Sequence, residues 1–358
     1  NYNPTTSVSS IIATPRIGTA SSKFGESVEG IGDFNNDGRD DIIIGSPSDV
    51  TGGGLGIAKI VFGATTAPTE TIFNPSGATD RFGEDVAGLG DFNGDGYNDI
   101  LIGAPGGNFA EVHFGFRNGG TPPATLTLNG GTAFGTEVEG LGDINGDGFS
   151  DLFVGTDGNA GSIFFGGQNP NASPDATLAI PNNYTVAGGG AAGDFNGDGY
   201  SDFALSLLNG TAIETYIVFG KSDFAGNIGY AYLQDYNNAI KLKYTGAFSI
   251  GDDIEIASIG DVDGDGYDDI GMGVPDANGL GTGINDGNGG MFVVYGRNTD
   301  DTRDIPGALQ FGATASGQSL VGNTADNVMA DGDPALLNTY GNVNFRGDIS
   351  VRVTSIDK

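Results

Sequence analysis

The chain has 358 residues, a formal net charge of −32, 66 glycines, one histidine and no cysteine. Such acidity repels nucleic acid and anionic membrane, so neither is expected as a direct partner, and the missing thiols exclude disulfides and thiolate metal sites. Apolar residues make up 37% and fall in short runs, which predicts a folded core but never reaches the ~20 residues of a membrane helix.

Opening at Asn1 without a methionine, the chain reads as a mature or excised piece. The first stretch, SVSSIIATPRIG (7–18), resembles the run that precedes each later repeat and predicts a strand completing a blade formed by the opposite end of the chain. From Phe24 a unit begins that recurs. A lead, FGESVEGIGD (24–33), runs into an acidic nonapeptide, DFNNDGRDD (33–41), then into two apolar runs, DIIIG (41–45) and AKIVFG (58–63). The second unit repeats it as FGEDVAGLGD (82–91), DFNGDGYND (91–99), DILIG (99–103) and AEVHFG (110–115). The third has FGTEVEGLGD (134–143), DINGDGFSD (143–151), DLFVG (151–155) and SIFFGG (162–167).

The fourth unit is worn. NNYTVAGGGAAGD (182–194) replaces the phenylalanine–glycine lead and Ala204–Ser206 replaces the glycine–proline turn, yet DFNGDGYSD (194–202) is complete and TYIVFG (215–220) follows. The fifth holds DVDGDGYDD (261–269), DIGMG (269–273) and FVVYG (292–296). Beyond Arg297 the pattern breaks, so 1–297 reads as the repeat domain and 298–358 as a degenerate closing blade, closing strands or a C-terminal linker.

Loop starts at Asp33, Asp91, Asp143, Asp194 and Asp261 lie about 50 to 67 residues apart, the length of a four-stranded blade. Short Ile/Val/Phe runs between glycine turns read as buried strands, and no segment offers a capped amphipathic helix. A lone four-stranded sheet cannot bury both faces; radial packing of several does so and leaves only short edges. The predicted fold is all-β, a β-propeller of four-stranded blades with five clear repeats and five to seven blades in total. An open solenoid is the competing architecture.

Positions 1, 3, 5 and 9 of every nonapeptide carry oxygen-bearing side chains, and position 6 is glycine. Calcium takes six to eight oxygens, one of them often a backbone carbonyl, around a sharp turn that a glycine permits. The candidate ligands are Asp33, Asn35, Asp37, the carbonyl of Arg39 and Asp41; Asp91, Asn93, Asp95, the carbonyl of Tyr97 and Asp99; Asp143, Asn145, Asp147, the carbonyl of Phe149 and Asp151; Asp194, Asn196, Asp198, the carbonyl of Tyr200 and Asp202; and Asp261, Asp263, Asp265, the carbonyl of Tyr267 and Asp269. About five Ca2+ ions are therefore expected. An acidic turn without metal is the plain alternative, but two carboxylates ~4 Å apart repel by roughly 4 kcal/mol at an effective dielectric of 20, and five loops repeat the same crowding. Helix–loop–helix calcium sites need a glutamate at position 12. Here that position is Ile44, Ile102, Val154, Leu205 or Met272, so these loops are turns that open a core strand.

The phenylalanine–glycine lead, acidic loop and glycine–X–proline turn (Gly45-Ser46-Pro47, Gly103-Ala104-Pro105, Gly273-Val274-Pro275) together resemble the FG-GAP repeat of integrin α-subunit propellers and bacterial extracellular proteins. The resemblance covers about residues 20–297. It implies a propeller, usually of seven blades, with structural calcium in the outer loops. It further implies a secreted or cell-surface, non-catalytic module for adhesion, surface assembly or protein or glycan binding, whose partners include copies of itself. Two alternatives stay open: an enzyme acting on polysaccharides or phospholipids on a propeller scaffold, and a subunit of an extracellular polymer or sheath. No catalytic set stands out. His113 lies on a predicted core strand and reads as a packed residue, and no nucleophile elbow or zinc-hydrolase motif occurs. Arg346-Gly347-Asp348 spells an integrin-binding tripeptide, and Asn171, Asn183 and Asn209 head glycosylation sequons.

Overall fold

The structure is a computed structural model that describes residues 21–50, 55–63, 70–73, 80–117, 120–209, 212–224, 226–243, 255–274, 290–297, 309–314 and 317–321. Packing divides the chain into two compact units, Asn1–Asp91 with Asp95–Val138, and Phe92–Gly94 with Glu139–Lys358. The fold is the expected all-β propeller, with five blades among the described residues.

Blade one is β1 (Val28–Gly32), β2 (Asp41–Ser46), β3 (Ile57–Val61) and β4 (Glu70–Phe73), paired in that order. Blade two repeats it with β5 (Val86–Gly90), β6 (Asp99–Ala104), β7 (Phe109–His113) and β8 (Leu126–Asn129). Every neighbour in these sheets is antiparallel. The two sheets share one core, in which Ile31, Ile43, Ala58 and Ile60 meet Val86, Ile100 and Ile102. Each isoleucine or valine among them contributes roughly 1.5–3 kcal/mol by leaving water.

The FG-GAP signature marks where these blades touch. The Gly83 N–H donates to the carbonyl of Gly103 (2.9 Å), tying the lead to the turn of its own blade. The Gly83 carbonyl in turn lies against Gly45 of blade one, where a Cβ would come within 2.3 Å of that oxygen. Backbone meets backbone there, so the motif's glycines admit the neighbouring blade.

The second unit begins with blade three: β9 (Glu137–Gly142), β10 (Asp151–Gly155), β11 (Ala160–Phe164) and β12 (Ala176–Ala179). Blade four has β13 (Thr185–Gly193), β14 (Asp202–Asn209) and β15 (Ala212–Val218). Then the chain departs from the pattern: β16 (Gly226–Gly229) leaves blade four, pairs parallel with β12 on the outer edge of blade three, and leads through the single-turn α1 (Tyr230–Leu233) back to β17 (Ala239–Lys243), which closes blade four. Ile228 on β16 is buried in the same cluster as Leu178 on β12, which fixes the crossing. Blade five is β18 (Glu255–Gly260), β19 (Asp269–Val274), β20 (Gly290–Val294), β21 (Leu309–Thr314) and β22 (Gly317–Val321). Two blades thus hold five strands where four were expected.

The worn fourth unit is repaired by side chains. Ser206, standing where other units have glycine, is fully buried, and its hydroxyl meets that of Thr215 at 2.7 Å. His113 sits on β7 as expected, its ring 4.5 Å from that of Phe73 and its Nε2 2.9 Å from Glu111. The predicted N-terminal strand (7–18) and Arg346-Gly347-Asp348 lie outside the described residues.

Candidate metal sites

Each acidic loop joins the first and second strands of its blade. The ladder slips by one residue just before the loop, between Gly30 and Gly32, Gly88 and Gly90, Ala191 and Gly193, and Ser258 and Gly260. The glycine that ends each slip has positive φ, between 61° for Gly32 and 68° for Gly90 and Gly260. A bulge of this kind turns the strand and delivers the position-1 aspartate into the loop.

That aspartate organises the turn. Oδ1 of Asp33 accepts the N–H of Asp37 (2.8 Å) and Oδ2 that of Gly38 (2.7 Å). Asp91, Asp143, Asp194 and Asp261 do the same for the residues at positions 5 and 6 of their own loops. The position-6 glycines have φ from 86° at Gly38 to 97° at Gly266, as the turn requires. Asp95, Asp147, Asp198 and Asp265 then accept the N–H of position 7 at 3.0 Å. Position 5 is exposed in every loop. In the fifth loop the carboxylates of Asp261, Asp263 and Asp265 bring oxygens within 4.8 Å of one another.

Position 9 lives elsewhere. Asp41, Asp99, Asp151, Asp202 and Asp269 are at most 1% exposed. One oxygen of each accepts the N–H of a glycine at the end of the third strand: Gly63, Gly115, Gly220 and Gly296 at 2.8 Å and Gly166 at 3.0 Å. The other oxygen of Asp41, Asp151 and Asp269 accepts the N–H of position 2, and that of Asp202 accepts the N–H of Asn196. Burial pushes the carboxyl of Asp202 up to about 8, that of Asp151 to about 7 and that of Asp269 to about 6, against the lowering effect of these N–H groups. Since a carboxylate offers about four lone-pair sites, two backbone bonds leave room for a cation.

Two sets of residues in this base escape a reading of the sequence. Position 2 is a buried apolar anchor, Phe34, Phe92, Ile144, Phe195 or Val262. The third-strand glycines close the loop from 15 to 27 residues away, from Asp202 to Gly220 for example, and the recurring phenylalanine– or tyrosine–glycine at the end of those runs was their signal.

Whether a hard cation suits these loops can be judged from the side chains themselves. All donors are oxygens, the chemistry calcium prefers. In the first loop the Oδ1 of Asn35, a position-3 residue only 6% exposed, is buried without a hydrogen-bond partner. A buried acceptor left alone is expensive, and a cation held by Asp33, Asn35 and Asp37 would satisfy it. The loops fit the ion.

Comparison with known proteins follows the same division. The FG-GAP repeat model matches residues 24–60 and 82–121, and an FG-GAP-like repeat model matches 143–205. The chain is 33% identical to integrin alpha-5 of Xenopus laevis over 182 residues, which are 45% of this chain and 17% of that protein. It is 33% identical to integrin alpha-IIb of Mus musculus over 156 residues (38% and 15%), and 30% identical to integrin alpha-PS3 of Drosophila melanogaster over 161 residues (41% and 14%). The chain thus spans less than a fifth of the length of these relatives. Among the described residues, no helix is long and apolar enough to cross a membrane. Repeat, blade and loop agree: this chain carries FG-GAP repeats and is an integrin α-like β-propeller.

Proposed function

We propose that the five acidic loops each hold one Ca2+ ion through positions 1, 3, 5 and 9 and the position-7 carbonyl, and that the blades they brace form a non-catalytic extracellular module for adhesion. The unpartnered, buried Oδ1 of Asn35 carries the metal reading: in the third and fourth loops the same oxygen accepts the N–H of position 5, whereas in the first it has no partner. Calcium would neutralise the crowded carboxylates and tie the first strand of each blade to its second. Five ions also offset part of the net charge of −32. Similarity to integrin α chains supports the adhesive role and a place at the cell surface or outside the cell, with a protein or glycan, or further copies of this chain, as partner.

Calorimetric titration of the chelated chain with CaCl2 tests the metal reading. About five ions should bind, and EGTA should lower Tm by at least about 5 °C. No heat and an unmoved Tm would refute it. Binding of the immobilised chain to extracellular-matrix proteins and a glycan array, with and without EGTA, tests the adhesive role; calcium-dependent turnover of a polysaccharide or phospholipid would refute it.

A further inference from the structure

In the second unit the acidic loops are built into one another. The ring of Tyr200, at position 7 of the fourth loop, lies against Gly146, at position 4 of the third; a Cβ there would come within 2.4 Å of its Cε1. The ring of Tyr267, at position 7 of the fifth loop, meets Gly197, at position 4 of the fourth, at the same 2.4 Å. Main-chain bonds accompany both contacts. Ser201 N–H donates to the carbonyl of Asp143 (2.9 Å), and Asp268 N–H to the carbonyl of Asp194 (3.1 Å), while Asp194 N–H donates to Oδ2 of Asp268 (2.9 Å). Positions 7 and 8 of one loop therefore clamp positions 1 and 4 of the loop before it.

The residues in this joint belong to both sites at once. Tyr200 would offer its carbonyl to an ion in its own loop, whereas its side chain supports the neighbour's backbone between Asn145 and Asp147. Tyr267 stands likewise between the fifth loop's ion and the turn between Asn196 and Asp198. Immobilising a position-7 carbonyl thus immobilises a ring on which the preceding loop's ligands rest. Ordering one site lowers the entropy that the next must lose, which is positive coupling without any change of shape, and such coupling is reciprocal.

Resting on the calcium reading above, we infer that Tyr200 and Tyr267 are positioning residues that make the third, fourth and fifth loops load calcium as a coupled series. The ring is the coupling element, since the three atoms nearest a Cβ at either glycine are ring carbons.

The test is hydrogen–deuterium exchange on the full chain across a CaCl2 titration, following peptides over 143–151 and 194–202 separately. Wild type should protect both with closely spaced midpoints. Tyr200→Ala, which keeps the carbonyl and removes the ring, should raise the midpoint of 143–151 roughly fivefold, and Tyr200→Phe should restore it. Should Tyr200→Ala fail to fold, Asp198→Asn serves in its place: it weakens the fourth site alone, and coupling again requires the midpoint of 143–151 to rise. A 143–151 midpoint unmoved in either folded variant, while 194–202 shifts, overturns the coupling and leaves calcium binding intact. Absence of calcium-dependent protection in wild type overturns the calcium reading and the coupling together.

Discussion

Asp198 and Asp202 are four residues apart and occupy opposite environments. Asp198 is exposed at the rim of its loop, bonded to the N–H of Tyr200. Asp202 is wholly buried at the base, bonded to the N–H groups of Gly220 and Asn196. One residue type in one motif thus performs two tasks, and the other loops repeat the division. The base holds the second strand of the blade to the end of its third, as a structural hydrogen-bond node. The rim, on the calcium proposal, would supply further oxygens for a cation. The contrast implies that the blade keeps its shape when the rim is altered, but not when the base is.

The largest expected effect breaks the base. Asp202→Ala leaves two buried N–H groups without acceptors, each costing about 1–3 kcal/mol, so urea denaturation in EGTA should show a loss of roughly 3–5 kcal/mol. Asp198→Ala in the same buffer should lose less than about 1 kcal/mol, as surface changes do. Equal losses from the two variants would erase the distinction. Calcium adds a second test of the rim. At a calcium concentration about 100 times its Kd, one site adds roughly 2.7 kcal/mol, and Asp198→Ala should forfeit most of that increment for the fourth loop.

How far this division could be read from sequence depends on how local the chemistry is. The turn at the rim was legible because its aspartates and glycines lie within nine residues and their spacing is itself the geometry. The strands were legible because the blade cores use short apolar runs such as Ile100–Ile102. The base was not: position 9 looks like any other acidic ligand until the glycine at the end of the third strand is seen to donate to it. The fifth strand of blade three was equally hidden. Gly-Asn-Ile-Gly (226–229) has too little β-propensity to announce a strand, and its parallel pairing with β12 and the burial of Ile228 beside Leu178 hold it there. Ser206 in place of glycine looked like decay of the repeat, but Thr215, supplied by the next strand, gives its hydroxyl a partner.

A half-buried carboxylate outside the loops sharpens the comparison. Glu29 on β1 is pushed up to about 7, first by burial and then by the charge of Asp85, against a backbone N–H from Gly88. Its ordinary value is 4.5. Between pH 4.5 and about 7 the folded chain therefore holds a proton that the unfolded chain has released, so stability is full below that window and falls as pH rises through it. Glu29→Gln should flatten this part of the stability–pH curve, by on the order of 1–2 kcal/mol once partial exposure is allowed for. An unchanged slope would mean that Glu29 is solvated like a rim residue.

The smallest effect concerns the one loop whose seventh residue is not aromatic. Arg39 is 46% exposed and its guanidinium lies 3.6 Å from Oδ1 of Asp37, a proposed ligand. An exposed pair of this kind contributes between about 0 and 1 kcal/mol to folding, so Arg39→Ala should leave stability in EGTA within about 0.5 kcal/mol of wild type. The same positive charge, however, competes with a cation for Asp37. Removing it should tighten calcium at the first loop by about two- to fivefold at low salt, read as a lower midpoint for protection of residues 33–41, and the gain should shrink as salt screens the guanidinium. A weaker first site in Arg39→Ala would show instead that the arginine side chain holds its own carbonyl in place, the part that the rings of Tyr200 and Tyr267 play for their neighbours.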